Sequence, residues 1–129
     1  MKIRFGFVTN SSSSSFIISN IKAPPENIAD FFTKITKDNY MEQLSYAYCF
    51  EYECSVSAED YKSIGFTDEQ IFAINFLQRF GMHSYKVLMD TLDRNESVYF
   101  SRIDNDIRYN FDELYTFISG SKILLEEQE

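Results

Sequence analysis

The spacing of apolar residues along the chain divides it into short strands and amphipathic helices. Residues 2–8 predict a strand, with Ile3, Phe5 and Phe7 on one face and Lys2 and Arg4 on the other. Asn10 and the serine run Ser11, Ser12, Ser13, Ser14 and Ser15 follow as a loop, because serine hydroxyls compete for nearby backbone groups. Residues 16–19 predict a second short strand, so residues 1–19 read as a wide hairpin carrying a serine loop.

Pro24-Pro25-Glu26 predicts a helix start, since proline is tolerated in the first turn. Ile28, Phe31, Phe32 and Ile35 recur at i, i+3, i+4 and i+7 and give that helix one apolar stripe. Residues 44–56 alternate strictly. Leu44, Tyr46, Tyr48, Phe50, Tyr52, Cys54 and Val56 share one face and Ser45, Ala47, Cys49, Glu51, Glu53 and Ser55 the other. A helix over the same window would put Glu51 and Ser55 on its apolar stripe, so an antiparallel strand with one solvated face is expected, its tyrosines pointing inward.

Ser57-Ala58-Glu59-Asp60 predicts a helix start and Gly65 its stop. Thr67-Asp68-Glu69-Gln70 has the form of a capping box. The helix it opens carries Phe72, Ala73, Phe76, Leu77 and Phe80 on a broad face, with Ile71 and Ile74 on the other side, and Gly81 ends it. Tyr85, Leu88, Met89 and Leu92 predict a further helix to about Asp93. Residues 98–103 and 107–111 predict a hairpin around Asp104-Asn105-Asp106. Asn110 and Glu113 open a last helix with Phe111, Leu114, Tyr115 and Ile118 on one face and Gly120 as terminator. Residues 123–129 are expected to be a frayed acidic tail. The whole predicts one α+β domain over residues 1–129, an antiparallel sheet of about five strands with helices packed on one face.

Composition fits that picture. The 129 residues are 44% hydrophobic, enough for a core, and 17% aromatic, which excludes a disordered tail. Twenty acids against twelve bases give a net charge of −8. Residues 1–37 hold five bases and two acids, a net of +3, whereas residues 38–129 hold seven bases and eighteen acids, a net of −11. Direct binding of nucleic acid is therefore not expected, because phosphates are held by Lys and Arg. A mildly basic start and an acidic body are expected instead. Met1-Lys2-Ile3-Arg4 lacks the apolar core of a secretory signal, and no apolar run approaches a membrane span. Cys49 and Cys54 fall on opposite faces of the expected strand and cannot pair there, so reduced thiols and a cytoplasmic setting are expected.

Candidate chemistry is sparse. The serine loop could cradle an anion or take a modification, but G-x-x-x-x-G-K-[ST] is absent, and a plain solvated turn explains it as well. His83 is the one histidine and sits at a turn after Gly81; no C-x-x-C, H-x-x-x-H or G-x-S-x-G accompanies it. No catalytic residue, metal site or cofactor is therefore expected. Asp90, Asp93, Glu96, Asp104, Asp106, Asp112 and Glu113 form a dense acidic stretch. Such carboxylates can stand where phosphates would bind a basic channel, or can simply be a solvated face. Asp104-Asn105-Asp106 lacks the glycine and bidentate glutamate of a calcium loop.

Lys2-Ile3-Arg4 and Gly6-Phe7-Val8-Thr9-Asn10, the serine run and Phe16 together resemble an N-terminal signature of many uncharacterised bacterial and tailed-phage proteins. The likeness covers about the first eighteen residues and implies an origin, not an activity. With the acidic body, it leads to the expectation of a non-catalytic protein-binding module. Its most concrete form is a phage-encoded inhibitor of a bacterial defence protein, in the manner of an anti-CRISPR, or of another basic nucleic-acid-handling protein. Two alternatives stand beside it. One is a small enzyme or ligand-binding domain with a site near the serine loop and His83. The other is a self-associating structural protein, a homodimer in which an exposed sheet edge pairs two copies.

Overall fold

A computed structural model describes residues 13–48, 50, 58–104 and 111–128. The fold is α+β, with a four-stranded antiparallel sheet rather than the five strands expected. Its contacts resolve into two compact units: one holds the described residues up to Thr36 and those from Thr91 onward, the other Lys37–Asp90.

The first unit contains the sheet. Strands β1 (Ser13–Ser19), β2 (Phe32–Ile35), β3 (Val98–Asp104) and β4 (Lys122–Gln128) lie in the order β2-β3-β1-β4. In β1 Phe16 faces Ser101 of β3 and Glu126 of β4, and Ile18 faces Tyr99 and Ile123. These alternate side chains share one face. A 3-10 helix (Glu26–Phe31) and an α-helix (Phe111–Ser119) supply Ile28, Leu114 and Ile118 to the core with Phe16, Ile18, Tyr99 and Ile103. On the opposite face Ile17, Ile35, Val98 and Leu125 are buried too. Their burial explains why β1 is apolar on both faces from Phe16 to Ile18 instead of alternating.

The second unit is helical: α1 (Tyr40–Tyr48), α2 (Ala58–Ser63) and the first part of α3 (Asp68–Asp93). The α-helix Phe111–Ser119 of the sheet unit is therefore α4. Gly81 breaks α3 with φ 88° and ψ 169°, a backbone conformation that side-chain-bearing residues rarely adopt, and Gly65 closes α2 with φ 100°. Both glycines act as the sequence predicts. So does the capping box: the Thr67 N–H donates to Gln70 Oε1 at 2.9 Å and the Gln70 N–H to Thr67 Oγ1 at 3.2 Å. The core of this unit is aromatic, with Phe50 set against Tyr48, Phe72, Phe76 and Phe80 at centroid distances of 5.7–6.2 Å.

Four expectations are corrected. The helix expected from Pro24 is a 3-10 turn followed by strand β2: β3 offers residues 32–35 an edge, and in a strand Phe32 and Ile35, three apart, turn to opposite faces of a sheet that is buried on both. The strand expected over residues 44–56 is helical from Tyr40 to Tyr48. Tyr40, Leu44 and Tyr48, four apart, form its buried stripe, and Tyr46 is 85% exposed rather than inward. Cys49 and residues 51–57, with Glu51, Tyr52, Cys54 and Ser55, lie outside the described residues. Ser13–Ser15 of the expected loop belong to β1. The expected frayed tail is β4, held by pairing with β1 from Ser14 to Ser19. The strand expected over residues 2–8 and residues 107–110 of the strand expected over 107–111 lie outside the described residues; Phe111, the last of the latter, opens the helix Phe111–Ser119 instead.

Candidate functional site

The acidic residues singled out by the sequence are spread over several elements. Asp90 belongs to the helical unit and is exposed on α3. Asp93 is the last residue of α3 and Glu96 follows it shortly before β3, whereas Asp104 ends β3. The strand between them is seven residues long, about 20 Å at the usual rise. Asp112 and Glu113 lie in the first turn of α4. That is the end of the helix remote from Lys122, which pairs with Ser19 beside Val98. Asp106 lies outside the described residues.

Glu96 and Glu113 are held by internal hydrogen bonds. Arg94 Nε donates to Glu96 Oε1 at 2.7 Å and the Ser19 hydroxyl to Glu96 Oε2 at 3.1 Å. The Arg94 bond first and the Ser19 bond second hold the Glu96 carboxyl below the ordinary carboxylate range. Glu113 accepts a hydrogen bond from the Asn27 side-chain amide, which ties α4 to the 3-10 helix. Partial burial, with the Asp112 charge second, raises the Tyr115 phenol, so that ring stays neutral. Glu96 and Glu113 thus have structural work of their own; Asp90, Asp93, Glu96 and Asp112 are exposed and Glu113 is half-buried.

The serine run is not a hydroxyl-rich loop where it is described. Ser14 and Ser15 are buried within β1, and the Ser14 and Ser101 hydroxyls find no hydrogen-bond partner among the described residues. Asn10, Ser11 and Ser12 lie outside the described residues, as does the side chain of Ser13. His83 is exposed on α3 after the Gly81 break. Among the described residues no group of three or more His, Cys, Asp or Glu could hold a metal ion, and no helix is long and apolar enough to cross a membrane.

Sequence reasoning missed a cleft within the helical unit, of about 410 Å³. From α1 and the turn before it come Asp38, Met41, Glu42 and Ser45; from α3 come Asp68, Ile71, Phe72 and Asn75. Phe50 and Lys62 complete the lining. Each helix contributes one face, since residues 38, 42 and 45 and residues 68, 71, 72 and 75 follow helical spacing. Phe50, Ile71 and Phe72 are buried and make an apolar floor, with Asn75 beside them at 8% exposure. Asp38 and Glu42 are exposed at the rim. Lys62 Nζ pairs with Asp68 Oδ1 at 3.0 Å. The signal was present in the spacing of Asp38, Glu42 and Ser45, but it is invisible once residues 44–56 are taken for a strand.

Neither His83 nor the serine run lines this cleft. Compared with known proteins, the chain matches no family model, no curated protein and no solved structure.

Proposed function

We propose that this protein is a non-catalytic binding module whose partner is a protein with a basic surface. The observation that carries the proposal is the excess of acid beyond residue 37, eighteen acids against seven bases. Asp90, Asp93 and Asp112 present part of it to solvent on helix ends and faces, where exposed negative charge steers a cationic partner. The likeness of the N-terminal segment to bacterial and tailed-phage proteins supports a sharper form. In that form the protein occupies the nucleic-acid-binding surface of a bacterial defence protein or another nucleic-acid-handling protein, its carboxylates standing in for phosphates.

The runner-up, a small-molecule site at the serine loop and His83, loses support because the Ser14 and Ser15 side chains are buried inside the sheet. The decisive experiment is affinity capture from bacterial lysate at low and high salt, followed by capture with Asp104, Asp106 and Asp112 changed to asparagine. A stoichiometric partner that weakens with salt and with the substitutions is expected. A partner indifferent to both would overturn the proposal, as would no partner at either salt.

A further inference from the structure

The cleft of the helical unit combines features that select one kind of occupant. Its floor is apolar and aromatic, from Phe50, Phe72, Ile71 and Met41. Its rim carries three carboxylates, Asp38, Glu42 and Asp68, against one ammonium, Lys62. Lys62 is engaged by Asp68. Asp38 and Glu42 take no hydrogen bond and no ion pair from the described residues. An anion entering here meets uncompensated negative charge. An apolar group would displace water from Asp38 and Glu42 without replacing its hydrogen bonds. A group with a cationic head and a flat or aliphatic body satisfies both surfaces at once.

We propose that this cleft receives an arginine side chain presented by the protein partner. The guanidinium offers five donors in a planar fork, matched to the carboxylates of Asp38 and Glu42, and its flat face stacks on aromatic rings such as Phe72. The alkyl stem lies along Met41 and Ile71. The volume, about 410 Å³, falls within the range of ligand pockets, about 300–1,000 Å³. The same unit already accommodates one guanidinium in this way: Arg79 lies over the Tyr48 and Phe80 rings at 5.3 and 5.5 Å while its Nη1 bonds a carbonyl oxygen. Lysine would gain the carboxylates but less from the rings. The site lies apart in sequence from the acids named above. It rests on the proposed function only for the source of the arginine.

The test is an NMR titration of the full chain with N-acetyl-arginine amide, repeated with the citrulline counterpart, which has the same shape without the charge. Saturable shifts are expected at residues 38–45 and 68–75, with the citrulline compound at least tenfold weaker. The doubly substituted chain Asp38→Asn, Glu42→Gln should lose tenfold or more toward the arginine compound; both residues are exposed, and its amide spectrum away from the cleft reports the fold. Equal binding of citrulline, shifts centred elsewhere, or an unchanged affinity in the double variant overturns the proposal. Tighter binding of free agmatine than of the arginine amide would overturn the side-chain assignment in favour of a free guanidine ligand. Because the probe needs no partner, failure of the cleft and failure of the proposed function are separable. A salt-sensitive partner without arginine binding sinks the cleft alone. Arginine binding without any partner sinks the functional proposal and, with it, the protein source of the arginine.

Discussion

Arg79, on α3, donates a hydrogen bond from Nη1 to the carbonyl oxygen of Tyr48, the last residue of α1, at 2.6 Å. The last carbonyls of a helix have no intrahelical donor, so this contact caps α1 from the neighbouring helix. The guanidinium also lies over the Tyr48 ring. Arg79→Ala removes a charge-assisted hydrogen bond and a cation–π contact together, and a loss of about 2 kcal/mol is expected in urea denaturation. Arg79→Lys should recover only part of it, because an ammonium keeps the charge but not the planar stack. A loss below about 0.5 kcal/mol for Arg79→Ala, the ordinary range of surface changes, would show that the cap contributes nothing.

The capping box at the start of α3 makes a second, independent prediction. Thr67→Ala removes the oxygen that accepts the Gln70 N–H and should cost about 1 kcal/mol, whereas Thr67→Ser should be close to neutral. Hydrogen exchange localises the effect. The Gln70 amide should lose protection in Thr67→Ala while amides of the sheet unit keep theirs. Uniform loss across both units would mean that the cap is coupled to global unfolding instead.

This box, Gly65 and Gly81 were all legible in the sequence because each is a local device: side chain and backbone settle the matter within a few residues. The same holds for β3 and α4, whose apolar periods are unambiguous. Residues 44–48 were misread because their pattern fits two periods, and residues 32–35 because their helical spacing is overridden by pairing with β3. Phe32 and Ile35, three apart, share a face on a helix but take opposite faces in a strand, and pairing with β3 sets them as a strand in a sheet buried on both faces. Tyr46 looks inward in a strand and is outward in a helix, and the choice is made by Phe72 packing on Tyr40 at 5.1 Å. The cleft depends on that choice, so Asp38 and Glu42 could not be placed together from sequence. The acidic residues are spread for a different reason. Neighbours in sequence, Glu96 and Asp104, are held apart by the length of the strand between them.

Glu96 predicts an acid limb of stability. Its carboxyl is held below the usual range in the folded chain by Arg94 and Ser19, so at acidic pH the unfolded chain takes up its proton first. The resulting stabilisation is fully present above the ordinary carboxylate pKa and is lost as pH falls through the lowered folded value. Thermal midpoints followed from neutral to strongly acidic pH should fall more gently in Glu96→Gln than in the native chain. Parallel curves would show that these bonds do not persist in solution.

Glu126 carries the opposite sign. It stands opposite Phe16 on the sheet, and burial raises its carboxyl above the usual range. The folded chain holds that proton more readily, so stability falls as pH rises through the window between the unfolded and the raised folded value. Glu126→Gln should therefore be as stable as the native chain or more so at neutral pH, by no more than about 0.5 kcal/mol, and the difference should vanish in acid. A variant less stable at neutral pH would assign Glu126 an attractive partner instead of a desolvation penalty.

The C-terminal strand gives the largest predicted effect. A frayed tail can be removed without consequence, but β4 pairs with β1 from Ser14 to Ser19, buries Leu125 on one face and packs Ile123 against the α4 core on the other. Ending the chain at Ser121 strips two large apolar side chains from the fold, each worth about 1.5–3 kcal/mol, and leaves one side of the β1 ladder unpaired. The shortened chain should lose several kcal/mol or fail to hold the sheet unit, and Leu125→Ala alone should cost about 2–3 kcal/mol. Both are read from urea midpoints with circular dichroism as the probe. Because β1 contains Ser13–Ser15, the loss should also make residues 13–19 newly sensitive to proteolysis, while the aromatic core around Phe50 and Phe76 keeps its near-ultraviolet signal. If the shortened chain matches the full one in midpoint, the strand assignment of residues 122–128 is wrong and the tail is solvated after all.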